Sequence, residues 1–321
     1  MEVFFLTLNQ MAMMFTLILV GYILRKKQIL PDSSVTTLSR LETYFLTPAL
    51  SFSNMVKNAS VETLSQNFKL VIYGFVFILS AVVLSYPLSK LFIKKSTDSA
   101  LEYQRNIFKY AMTFGNFGYV GNFVVLGILG SEGLFKFMLF TFCLSIVSNS
   151  WGVYVLTPKI SKRSSIKTLF RGLLTPPIIG LLSGIIVGLL NLSRFIPEFL
   201  QTALSNAANC MGPIGMILAG LVIGGYNIKE LITNKKVYFA TFMRLIVIPA
   251  AMMLVLRAIG ASEEIMMLVL MAFAVPLGLN TIIFPAAYGG DTKTGASMAM
   301  ISHTLAVITI PIMYLLFIVL M

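Results

Sequence analysis

Long apolar stretches, each about 20 residues and separated by short polar turns, account for most of this chain. No water reaches the hydrocarbon layer to satisfy open backbone. A stretch of that length therefore crosses it as a helix, whose rise of about 1.5 Å per residue spans its roughly 30 Å. Ten such segments are expected, at about 3–24, 37–56, 68–92, 106–129, 133–156, 170–192, 199–225, 236–258, 264–288 and 296–320. Charged residues make up 11% of the chain and mean hydropathy is +0.89, whereas soluble domains carry about 25% charged residues. The reading is an all-α polytopic membrane protein with the lipid bilayer as its surroundings. The net charge of +12 does not imply a nucleic-acid partner, because the basic residues sit in short loops between spans. Cys143 and Cys210 lie inside apolar runs and form neither a disulfide framework nor a metal spacing, so no cofactor is expected. The start, Met1-Glu-Val-Phe-Phe5, lacks a basic leader and reads as part of the first span.

Lysine and arginine bias sets the orientation. Of the 24 basic residues, Lys57, Lys69, Lys136, Arg194 and Arg257 fall on one side and all the others on the opposite side. The basic side is cytoplasmic, so both termini are expected outside a plasma (inner) membrane. Ten spans divide into residues 1–157 and 158–321, with the basic loop Lys159–Lys167 as the joint. Five spans per half is an odd number, so the second half enters the membrane inverted. Leu46-Thr-Pro-Ala-Leu50 in the second span resembles Met211-Gly-Pro-Ile-Gly215 in the seventh, as an inverted repeat requires.

The fourth and ninth segments share a second peculiarity. Thr113-Phe-Gly-Asn-Phe-Gly-Tyr-Val-Gly-Asn122 and Ala274-Val-Pro-Leu-Gly-Leu-Asn280 place glycine, proline and asparagine where a membrane helix should be most regular. Two interrupted helices at matching places in two halves mark a transporter's binding site. Each break leaves a half-helix N-terminus near mid-membrane, where free N–H groups and the helix dipole favour an anion. Candidate substrate-binding residues are Asn116, Gly118, Gly121, Asn122, Pro276 and Asn280, joined by Asn54, Ser148 and Asn149 on spans two and five. His303, the only histidine, and Glu42 are candidates for proton coupling, with a hydrogen-bonded interior histidine and an interfacial Glu42–Arg40 pair as the alternatives. Arg244 is expected as an inner-interface anchor, with a gating contact as the alternative, Trp151 as an interfacial aromatic, and Gly180, Gly184 and Gly188, spaced by four, as a close-packing stripe.

Gly115-Asn-Phe-Gly-Tyr-Val-Gly121 resembles the Gly-Asn-x-Gly-x-x-Gly motif of the auxin efflux carrier family, which includes malate and malonate permeases and the plant auxin exporters. Leu46-Thr-Pro-Ala-Leu-Ser-Phe52, Thr175-Pro-Pro-Ile-Ile-Gly-Leu181 and the run Asn280–Asp291 are similar to that family as well. The resemblance implies a ten-helix 5+5 inverted repeat with broken, crossing helices four and nine. It also implies a homodimer, and an elevator movement in which spans 3–5 and 8–10 carry substrate past spans 1, 2, 6 and 7. Family members usually have proline where this chain has Asn122.

The expected function is a secondary transporter for a small organic anion, a carboxylate such as malate or malonate or an auxin-like acid. The alternative is a transporter-like sensor or channel acting through a partner. An enzyme is not expected: neither His-Glu-x-x-His nor Gly-x-Ser-x-Gly occurs, and Asp291 of Gly289-Gly290-Asp291 lacks a mid-membrane partner aspartate.

Overall fold

The computed structural model describes residues 2–156, 174–288 and 292–320. The proposed joint Lys159–Lys167, the first residues of the sixth segment and Asp291 lie outside the described residues. The described chain is helical, and an isolated antiparallel bridge between Gly115 and Leu277 is its one β-type pairing.

Helix α1 is Glu2–Lys26 and α2 covers 33–58, with a π turn at Glu42–Leu46. Helix α3 is Val61–Ser89 and α4 is Ser99–Thr113. The next helix, Phe117–Leu156, is two rods joined at Gly130, whose φ of 66° and ψ of −165° are accessible to glycine alone. Its halves are α5 (117–129) and α6 (131–156). After the undescribed stretch come α7 (Pro176–Leu189), α8 (Glu198–Gly224) and α9 (Lys235–Ala258). Helices α10 (Glu263–Phe273), α11 (Asn280–Tyr288) and α12 (Lys293–Val319) complete the chain.

Helix starts follow local sequence. Ser60 and Thr63 close a reciprocal capping box ahead of α3, and Asp98 accepts from Ala100 N at 2.8 Å ahead of α4. Among the described residues, six helices are long and apolar enough to cross a bilayer: Leu8–Lys26, Val61–Ser89, Phe117–Leu156, Glu198–Gly224, Lys235–Ala258 and Lys293–Val319. The protein is therefore a multi-pass membrane protein. The expected segments 106–129 and 264–288 are not continuous helices. Each is split, into α4 with α5 and α10 with α11, at the glycine- and proline-rich stretches.

Packing sorts the helices into neighbours. Helix α1 lies along α8, and α2 lies along α7 and α8. The stripe Gly180, Gly184 and Gly188 brings α7 onto the backbone of α2, where a Cβ at Gly184 would stand 2.6 Å from the Phe52 carbonyl oxygen. Helix α3 packs on α4 and on the α5–α6 rods, and α9 packs on α10 and α12. Helix α10 is buried along nearly its whole length, Ile265 to Phe273. By contrast, α3 turns Phe68, Phe75, Leu79 and Val83 outward, as a lipid-facing helix does.

Candidate functional site

Helix α4 ends because Phe114 turns extended (φ −119°, ψ 134°), and α10 ends at Ala274 (φ −90°, ψ 1°). Pro276, which has no N–H and disfavours a helical residue before it, keeps the second chain open. The two opened strands meet. Gly115 pairs with Leu277, and Asn116 N donates to Pro276 O at 2.7 Å. A Cβ at Gly278 would lie 3.3 Å from Gly115 O. The bridge satisfies backbone groups that the breaks would otherwise leave unpaired in an apolar surround.

Four helix ends converge here: the C-termini of α4 and α10, and the N-termini of α5 and α11. The fully buried Arg244 sits at the two C-termini. Its Nη1 donates to Met112 O and Thr113 O at 3.4 and 3.3 Å, and its Nη2 donates to Ala272 O at 3.4 Å. Its guanidinium also lies 5.2 Å from the Phe273 ring centre. A cation on these carbonyls offsets the partial negative charge of both C-termini. Among the described residues no ion pair includes Arg244. The crossing therefore holds a buried guanidinium and the electropositive starts of α5 and α11.

Side chains ring this junction. Asn116 Nδ2 lies 3.3 Å from His303 Nε2, and the other ring nitrogen of His303 lies 2.7 Å from Ala299 O. Asn280 Nδ2 donates to the Tyr110 hydroxyl at 3.0 Å and to Ser148 Oγ at 3.4 Å, and these two hydroxyls are 2.9 Å apart. Leu277 N donates to Ser302 Oγ at 2.9 Å. Beside Gly118, at the start of α5, a Cβ would touch nothing within 4 Å, so the N-terminal end of that half-helix has open space next to it.

The sequence candidates divide accordingly. Asn116, Gly118, Pro276, Asn280, Ser148 and His303 come together at the crossing. Gly121 packs under Phe137, and Asn122 donates to Gly118 O in its own helix at 2.8 Å, leaving its buried Oδ1 without a protein donor. Asn149 donates to Ser145 O of its own helix. Asn54 lies elsewhere, bonded to Ser131 at the α5–α6 bend. Glu42 is fully buried between α2 and α8, where a Cβ on Gly215 would stand 3.5 Å from its Oε1 and 3.1 Å from the Tyr119 ring. Its Oε2 accepts from Thr47 at 3.5 Å, and among the described residues it has no ion pair, with Arg40 or otherwise.

A family model described as a membrane transport protein matches residues 6–314. The chain belongs to that family, the auxin efflux carriers that its motifs resemble. Two relatives are described as uncharacterized transporters. An uncharacterized transporter of Methanocaldococcus jannaschii is 27% identical over 297 residues, covering 92% of this chain and 93% of the relative. The uncharacterized transporter YfdV of Escherichia coli K12 is 21% identical over 304 residues, with the same coverage of both.

One anchoring expectation for this transporter is corrected. Arg244 is not at an interface; it is carried into the crossing on the π turn Met243–Val247 of α9. Trp151 packs its ring 6.1 Å from that of Phe114 at the first break. Nothing in the sequence distinguishes Tyr110 or Ser302, since each is one hydroxyl among many in apolar surroundings. Arg244 did carry a signal: a charge eight residues into an apolar segment is by default functional.

Proposed function

We propose that this transporter is a secondary carrier for a small organic anion, taken up at the junction of α4–α5 with α10–α11. The observation that carries the reading is the union of Arg244 with two electropositive helix starts at one buried point, beside the open space at Gly118. Neutralised C-termini and exposed N-termini give the junction a net pull on negative charge. A carboxylate fits that field, and the amides of Asn116 and Asn280 and the hydroxyls of Tyr110 and Ser148 supply neutral contacts around it.

The same proposal covers mechanism and setting. The ten segments form two inverted halves, and α3–α6 with α9–α12 move as one body against α1, α2, α7 and α8. The neighbour pattern supports that division: α1 with α8 and α2 with α7 are tight pairs, and α3 and α9 each pack chiefly inside the other group. The lysine and arginine bias supports a plasma membrane with both termini outside. Glu42 and His303 are the groups assigned to proton coupling.

Uptake by proteoliposomes of a panel containing malate, malonate, succinate and indole-3-acetate tests the reading. Saturable flux of at least one acid is expected. Folded protein that neither binds nor moves any of them would overturn it.

A further inference from the structure

Away from the crossing, a cavity of about 880 Å³ opens between α2, α8, the end of α7 and the α5–α6 bend. Its lining is rich in amides and hydroxyls, among them Asn54, Asn58, Ser131 and Asn209. Lys57 is the one charged side chain among the described lining residues, and no carboxylate faces it there. Asn54 is 6% exposed, and its Nδ2 and that of Asn58 both donate to Ser131, at 2.8 and 3.4 Å to the carbonyl oxygen. The Oδ1 of Asn54 is buried with no donor. Such a group is costly to bury unless something pairs with it.

The cavity borders α5 and α8. Leu126 and Ala208 line it, each about one helical turn from Asn122 and Gly212. One turn from these lining residues, the Phe123 ring lies against Gly212 so closely that a Cβ there would stand 1.9 Å from Phe123 Cδ2.

We propose that this cavity is a separate capture site for the transported anion, occupied before the anion passes Phe123. It selects small carboxylates that also carry a hydrogen-bond donor: Lys57 attracts the carboxylate, and Asn54 Oδ1 accepts from the donor. The inference rests on the carrier reading above and adds a second site and a selectivity to it.

Malate and succinate differ by one hydroxyl donor and serve as probes. Initial uptake is measured in right-side-out and inside-out vesicles for the wild type, Lys57→Gln, Lys57→Glu and Lys57→Arg. One charge contact in water is worth a factor of about five at low salt. Lys57→Gln is therefore expected to raise KM about fivefold on the face bearing Lys57, Lys57→Glu to raise it further, and Lys57→Arg to leave it near wild type, with Vmax unchanged throughout. Malate is expected to show the lower KM on that face. The capture site is overturned if transport persists with KM unaltered in Lys57→Glu, if KM rises equally on both faces, or if malate and succinate are indistinguishable. A wild type that moves neither of these two acids but moves malonate or indole-3-acetate overturns the capture site alone; one that moves none of the four overturns the carrier reading, and the capture site with it.

Discussion

Replacing Arg244 by methionine keeps most of the side-chain volume and removes the guanidinium. Three carbonyl oxygens, those of Met112, Thr113 and Ala272, then lose a donor in a buried site. The bonds are long, at 3.3–3.4 Å, so each is assigned about 1 kcal/mol, and the sum is about 3 kcal/mol. Relief from desolvating a charge offsets part of this. The expected net loss is about 2 kcal/mol, a fall in Tm of roughly 5 °C. Trp151 is the only tryptophan, and its ring lies against Phe114 at the break. Intrinsic fluorescence in detergent therefore reports melting of the crossing itself. Arg244→Lys should recover only part of the loss, because an ammonium cannot reach carbonyls on both half-helices with the same fork. A methionine variant that melts at the wild-type temperature with the same Trp151 emission would refute the view that Arg244 ties the two C-termini together.

Three further outcomes are expected. Gly118→Ala should leave Tm unchanged or slightly raised, since the added methyl meets nothing within 4 Å, yet should raise the KM for the transported acid severalfold by filling the open space; paired melting and uptake curves check both halves. Gly130→Ala should lower stability by about 1–3 kcal/mol because its φ of 66° with ψ of −165° excludes a Cβ, measured by thermal unfolding. Gly184→Val should cost about 3 kcal/mol or more by pushing α7 off α2, and cysteine crosslinking between those helices should fall with it.

Much of this was legible in the residues. Glycine, proline and asparagine clustered at Gly115–Asn122 and Pro276–Asn280 announce two breaks because each weakens the helix ladder, and both breaks occur where expected. The stripe Gly180, Gly184 and Gly188 announced a close helix contact, and α7 lies on α2. Other features are set by details that periodicity does not encode. π turns carry Glu42, Ser148 and Arg244, and the extra residue in each turn re-aims the side chains that follow. From sequence alone Arg244 belongs at the membrane surface, because a long basic side chain usually snorkels. Here three carbonyls released by two helix breaks give it a better partner than water. Asn54 and Asn280 look alike in sequence, both polar and within apolar segments. Only the tertiary placement of α6 and of α4 brings Ser131 to the one and Tyr110 to the other.

The central claim, that the junction binds a small carboxylate, is tested most directly by ligand-induced thermal shift on purified protein. A ligand at a hundred times its Kd stabilises the state it binds by about 2.7 kcal/mol. At least one acid among malate, malonate, succinate and indole-3-acetate should raise the wild-type Tm by several degrees, and that rise should shrink in Asn280→Ala, whose amide contacts Tyr110 and Ser148. A shift of undiminished size in Asn280→Ala, or none with any acid in the wild type, would contradict it.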